Sequence, residues 1–263
     1  MGIFSVPPSK TIYEYKKGDP DGVGVAALQV ALNETGYEPE LVVDGNFGDS
    51  TDVAVKQYQQ SKGLYVDGVA GLKTQTKLAD GFGRTAKALY QLPSGLIYGL
   101  VEAEAGFRIG AVNWSQPGGV DCGYVQRRVY GPPWNEAEVK KAFDSEVQIN
   151  KFAEDTRKRY DAFTDKAKFP GVQNKPNPTE YAWRLACLYH NWPYAAERLG
   201  KGFQLSDTKP SDPWWPEGVT FDDGQPVLTY RDWAAFYAMG SSLHRHEGRV
   251  VRYAFGVPSY NYG

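Results

Sequence analysis

Asp44-Gly45-Asn46-Phe47-Gly48-Asp49-Ser50-Thr51 returns 23 positions later as Asp67-Gly68-Val69-Ala70-Gly71-Leu72-Lys73-Thr74. Each copy reads as a tight turn that hands the chain to a helix. Asp and Gly make the turn, the second Gly of each copy suits a backbone angle other residues resist, and Ser50 or Thr51 and Thr74 can cap the helix that follows. Apolar residues nearby keep a helical period: Val25, Leu28 and Leu32 share one face upstream, and Ala54, Val55 and Tyr58 share another between the copies. The expectation is a small three-helix module over residues 12–80. Two glycines around 80–84 interrupt the pattern, which predicts a short linker there and a second domain over 85–263, its first helix starting near Thr85.

In 93–106, Leu96, Leu100 and Glu104 recur every fourth residue with Ile97 and Val101 beside them, which places Glu104 on the core-facing stripe of a helix. Glu102, about 200° around that helix, points the other way and reads as solvated. A carboxylate on an apolar stripe and in the last helical turn loses hydration and meets the negative end of the helix dipole, and both favour its protonated form. Such a group suits general-acid work. The structural alternative is a helix-end glutamate bonded to a loop amide. Residues 111–120, with Asn113, Trp114, Gln116 and two glycines, read as a loop or short hairpin in which Trp114 either stacks on a ligand or packs in the core. Helices are expected from 136 to about 163, from 178 to 199 and from 230 to 244, separated by a Pro- and Trp-rich loop over 201–227. The fold class expected is mainly α.

Several classes are excluded by composition. Residues 1–80 carry 7 Lys against 11 acids, about −4, and residues 81–263 carry 22 basic against 20 acidic residues, about +2; neither half has the basic patch of a nucleic-acid binder. No run of 18 apolar residues exists, and the N-terminal residues lack a basic n-region and an apolar h-region, so neither membrane insertion nor a secretory signal is expected. Two cysteines make no disulfide framework; Cys122 and Cys187 read as free thiols without a catalytic part. The only histidines are His190, His244 and His246, a thin set for a zinc peptidase, so no metal or cofactor is expected. Aromatic content is 14%, with 18 Tyr and 7 Trp. Planar rings of that kind commonly meet sugars, although the core houses most of them.

Leu28-Gln29, Gly36-Tyr37, Asp44-Gly45-x-Phe47-Gly48-x-x-Thr51, Ala54-Val55, Tyr58-Gln59 and Asp67-Gly68-x-x-Gly71-x-x-Thr74 closely resemble the peptidoglycan-binding type 1 domain. Further on, Glu104-Ala105-Gly106-Phe107, Gly123-Tyr124-Val125-Gln126 and Tyr189-His190-Asn191-Trp192 resemble the ordered signatures of soluble lytic transglycosylases and goose-type lysozymes. The departures are Ala105 for the usual Ser, Tyr124-Val125 for Leu-Met, and Trp192 for a small residue. These resemblances imply a bacteriophage endolysin: a wall-binding module followed by a lysozyme-like domain that cleaves the β-1,4 bond between N-acetylmuramic acid and N-acetylglucosamine. Glu104 is then the general acid, with Gln126, Tyr189, Asn191, Tyr124 and Trp114 on the substrate. Asp121 is the candidate second carboxylate for a retaining or inverting hydrolysis, or else only shapes a turn; without a second carboxylate the product is the 1,6-anhydro sugar. The partner implied is peptidoglycan, reached by a monomer made in the host cytoplasm and released through a holin. Two other readings stand beside it: a zinc-dependent wall peptidase, and a catalytically inactive wall-binding virion protein.

Overall fold

The computed structural model describes residues 2–7, 14–93, 95–114, 118–191 and 193–202. Among them the chain is mainly helical, with one small antiparallel sheet. It divides into two compact units, Met1–Ala86 with Glu104–Phe152, and Lys87–Ala103 with Ala153–Gly263.

The first unit holds the three expected helices, α1 (Gly22–Glu34), α2 (Asp49–Ser61) and, as far as Ala86, α3 (Leu72–Tyr90). Val25, Leu28 and Leu32 of α1 and Ala54, Val55 and Tyr58 of α2 are all buried, as their periodicity predicts. Each large apolar side chain so placed contributes about 1.5–3 kcal/mol. Phe47 and Ala70, equivalent in the two repeat copies, are both fully buried and plug the loops onto this core. Helix α3 runs unbroken through the segment where a linker is predicted. Leu78, Ala79, Phe82 and Ala86 are buried at three- and four-residue spacing, and this stripe outweighs the roughly 1 kcal/mol that each internal glycine costs a helix.

The same unit contains the last two residues of α4 (Leu96–Ala105) and the sheet. Strands β1 (Val112–Asn113), β2 (Gly119–Cys122) and β3 (Arg127–Tyr130) pair antiparallel in sequence order. They form a three-stranded sheet, where a loop or short hairpin is expected over 111–120. Val120, Cys122 and Val129 are buried, while Asn113, Asp121 and Arg128 lie in register across the three strands. Glu136–Phe143 (α5) and Ser145–Phe163 (α6) replace the one long helix expected there. Asp144 makes the break: its backbone is extended, and its side chain accepts from the Val147 amide at 2.9 Å, ending one helix and starting the next.

In the second unit, α4 (Leu96–Ala105) contributes its first eight residues, followed by most of α6, α7 (Pro170–Gln173), α8 (Pro178–Asn191) and α9 (Pro193–Gly200). Pro193 opens α9, since a proline fits the first turn of a helix but not its interior, so the expected helix over 178–199 is two. Phe163 and Phe169 pack at 4.7 Å and Tyr160 stacks on Trp183 at 3.9 Å. The loop over 201–227, apart from its first two residues, and the helix expected over 230–244 lie outside the described residues, as do Trp192, His244 and His246.

Candidate functional site

The repeat is built around two buried glutamines. Gln29 Nε2 donates to Asp44 Oδ1 (2.9 Å), the Asn46 carbonyl (3.2 Å) and Thr51 Oγ1 (3.1 Å), while its Oε1 accepts from the amides of Asp44 (3.2 Å) and Gly45 (2.9 Å). Gln59 repeats every contact in the second copy, donating to Asp67 Oδ1 (2.8 Å), the Val69 carbonyl (3.0 Å) and Thr74 Oγ1 (3.2 Å) and accepting from the amides of Asp67 (3.1 Å) and Gly68 (3.0 Å). Thr51 and Thr74 therefore complete these networks from inside α2 and α3, and they are not helix caps. The left-handed backbone angles belong to the first glycine of each copy, Gly45 (φ 68°) and Gly68 (φ 77°), not the second. A Cβ on Gly45 would sit 2.5 Å from the Gly22 carbonyl oxygen, so the loop and α1 also touch too closely for any side chain.

Asp44 is held below the usual carboxylate range by its bond from Gln29 and then by the Asn46 amide; Asp67 is held low first by the Val69 amide and then by Gln59. Beside the first copy lies an open groove of about 600 Å³. Tyr37, Leu41, Val42 and Val53 line it, together with Glu40, Asp44 and Asp49.

The second candidate site is the sheet with the end of α4. Glu104 occupies the last helical turn and is half-buried, as placed by its periodicity. Glu102 is half-buried too, which corrects the expectation of a solvated partner. The cause is that α4 is enclosed on several sides, with Leu96, Ile97, Gly99, Val101 and Ala105 all buried, so it presents no fully wet face. Asp121 lies in mid-strand and does not shape a turn. Arg128, its cross-strand partner, donates Nη1 to both of its carboxylate oxygens at 3.2 and 3.4 Å. Burial raises the Asp121 carboxyl above its ordinary value, Arg128 opposes that rise, and the charge of Glu104 adds to it, so the two acids feel each other.

Trp114, one residue past the Asn113 that pairs with Asp121, is 42% exposed and meets Trp134 edge-on at 5.5 Å. A core role for it is thereby excluded. Residues 123–126 form the β2–β3 connection. Tyr124 corrects its sequence assignment: it is fully buried and its hydroxyl donates to the Gln75 carbonyl at 2.9 Å, so it fastens the hairpin to α3 instead of lining a cleft. Gln126, half-buried, donates to the carbonyls of Gly123 (3.0 Å) and Ala111 (3.5 Å). Tyr189 belongs to the second unit, edge-on to Phe163 at 6.2 Å and with the Arg159 guanidinium 5.1 Å from its ring. Asn191 ends α8, and its side chain lies outside the described residues. Cys122 and Cys187 are buried free thiols, with burial pushing Cys122 up to about 12. Gln29, Gln59, Arg128 and Trp134 went unnoticed as site-builders in the sequence; the first two sit in the Leu28-Gln29 and Tyr58-Gln59 pairs, a parallel that could have exposed them.

Residues 21–78 match the family described as "Putative peptidoglycan binding domain". The matched segment comprises α1, α2, most of α3 and both glutamine-centred loops. Over 58 residues the chain is 38% identical to the zinc D-Ala-D-Ala carboxypeptidase of Streptomyces albus G, a stretch amounting to 21% of this chain and 23% of that protein. The chain therefore spans about a quarter of the length of that curated relative. No helix among the described residues is long and apolar enough to cross a membrane, and no three His, Cys, Asp or Glu residues among them are grouped to hold a metal ion.

Proposed function

We propose that this protein is a peptidoglycan-cleaving glycosidase of the endolysin kind, in which the peptidoglycan-binding segment holds the wall and Glu104 protonates the leaving glycosidic oxygen. The observation that supports it is the pair of half-buried carboxylates, Glu104 at a helix end and Asp121 on the adjoining sheet, close enough for the charge of one to raise the other. A pair of carboxyl groups beside one another is what acid–base cleavage of a glycosidic bond uses. Exposed Trp114 beside them offers a ring for a sugar face. Delivery through a holin and the phage origin belong to the same proposal.

The test is Glu104→Gln in the full chain. Wall lysis falls at least about a hundredfold while binding to insoluble walls persists, because the amide keeps the shape but carries no transferable proton. Retained lysis overturns the assignment. Mass spectrometry of the digest separates the routes: 1,6-anhydro ends show Glu104 acting twice, first as acid and then as base, whereas reducing ends with an inactive Asp121→Asn variant show a water-activating carboxylate.

A wall peptidase is the second reading, favoured by the likeness to the zinc carboxypeptidase. It predicts released amino acids or new free amines, loss of activity with a chelator, and no new sugar ends.

A further inference from the structure

Without an alignment, the internal repeat serves as its own control. What both copies share is what the loop needs in order to fold: Gln29 and Gln59, Asp44 and Asp67, Gly45 and Gly68, Thr51 and Thr74. What differs between them at exposed positions is free for other use. At the 23-residue offset of the loops Asp49 corresponds to Leu72, and Glu40 falls in the stretch before Asp44 that is longer in the first copy, where Gln29 precedes the Asp by 15 residues against 8 for Gln59. Glu40 and Asp49 are exposed and line the groove beside the first loop, together with Asp44. Its apolar walls include Tyr37, Val42 (76% exposed) and Val53 (45% exposed). No lysine, arginine or histidine is among the lining residues. The cation at hand is Lys17, which pairs with the Asp49 carboxylate from outside the lining. The second copy keeps one of the three acids and presents Tyr65 and Leu72 to solvent instead.

A groove with apolar walls and three carboxylates complements a cation carried on an aliphatic arm, and it repels the lactyl and peptide carboxylates of the wall. Within peptidoglycan that description fits one group, the free side-chain ammonium of the diamino acid in the stem peptide. We propose that the groove beside the first Asp-Gly loop binds this ammonium-bearing side chain, so that the segment recognises wall peptide by its uncrosslinked amine. The inference rests on the wall-binding reading of residues 21–78. A volume of about 600 Å³ leaves room for the side chain together with part of the stem peptide that carries it.

The experiment is co-sedimentation of the full-length protein with insoluble walls, before and after chemical N-acetylation of the walls' free amines. Acetylation is expected to weaken binding about tenfold, and Glu40→Gln to weaken it about threefold on native walls but not on acetylated ones, as a few partly screened charge contacts allow. Lys17→Ala, which frees Asp49, is expected to strengthen binding about twofold. Equal binding to native and acetylated walls, or weaker binding by Lys17→Ala, overturns the inference and leaves wall binding intact. Failure to bind either wall overturns the wall-binding reading itself.

Discussion

Gln29 and Gln59 each satisfy five hydrogen bonds from a nearly water-free position, at 1% and 2% exposure. Removing either deprives loop amides, that of Gly45 in one copy and those of Asp67 and Gly68 in the other, of their glutamine acceptor, at about 1–3 kcal/mol for each buried group left unpaired. Gln29→Ala and Gln59→Ala should therefore each lower stability to urea by about 2–4 kcal/mol, and by similar amounts, because the networks are the same. A silent Gln29→Ala beside a damaging Gln59→Ala would show that the copies are not equivalent. Glu34, at the end of α1, behaves differently: burial, and then the nearby Asp144 charge, push its carboxyl up to about 9. A group that binds its proton more tightly when folded contributes stability below its unfolded value, about 4.3, and loses it as pH rises from there toward 9. Glu34→Gln should accordingly raise the melting temperature at pH 8 and leave it nearly unchanged at pH 4. Asp44 and Asp67, held low, work in the opposite sense: their stabilisation is present above about pH 4 and fades on further acidification.

Helix α3 carries the clearest conflict between local preference and packing. Gly81 lies on its exposed side, and a Cβ there would meet nothing within 4 Å. Gly81→Ala should stabilise the protein by about 0.5–1 kcal/mol in chemical denaturation, since alanine loses less backbone freedom in a helix interior. A linker at this point would instead leave stability unchanged. The β2–β3 hairpin shows the converse, a loop whose four residues are fixed by the rest of the unit. Besides Tyr124, the Gly123 amide donates to the Ala111 carbonyl at 2.8 Å and the Val125 amide to Gln148 Oε1 at 3.2 Å. The motif that resembles a substrate-contacting signature is thus largely occupied with holding the sheet in place.

Within the first unit the helices of the family-matched segment are joined to 104–152 by buried contacts. The Ile109 amide donates to Gln75 Oε1 at 2.8 Å, Gln75 Nε2 donates to the Ala70 carbonyl at 2.7 Å, and Gly110 lies so close to the buried Tyr15 that a Cβ would fall 1.9 Å from its hydroxyl. A fragment ending at Tyr90 exposes this surface and leaves both Gln75 partners from 104–152 missing. It should melt well below the full chain, with a loss of at least about 2 kcal/mol, checked by circular dichroism on both. Equal melting would show that the helices fold without the sheet.

The sequence alone determined the three helices, their buried stripes, the two Asp-Gly turns and the likeness of the first segment to a peptidoglycan-binding domain. Those features are local: a 3.6-residue period and a turn's need for glycine are written in neighbouring residues. It also placed Glu104 at a half-buried helix end. Only the tertiary structure decided what the glutamines do, because Gln29 lies 15 residues before Asp44 while Gln59 lies 8 before Asp67, so the one repeat has two spacings. It alone turned Tyr124 inward, continued α3 through its glycines, and set Arg128 across from Asp121 near Glu104. Each of these depends on partners distant in the chain, whose burial and hydrogen bonds outweigh the local signal.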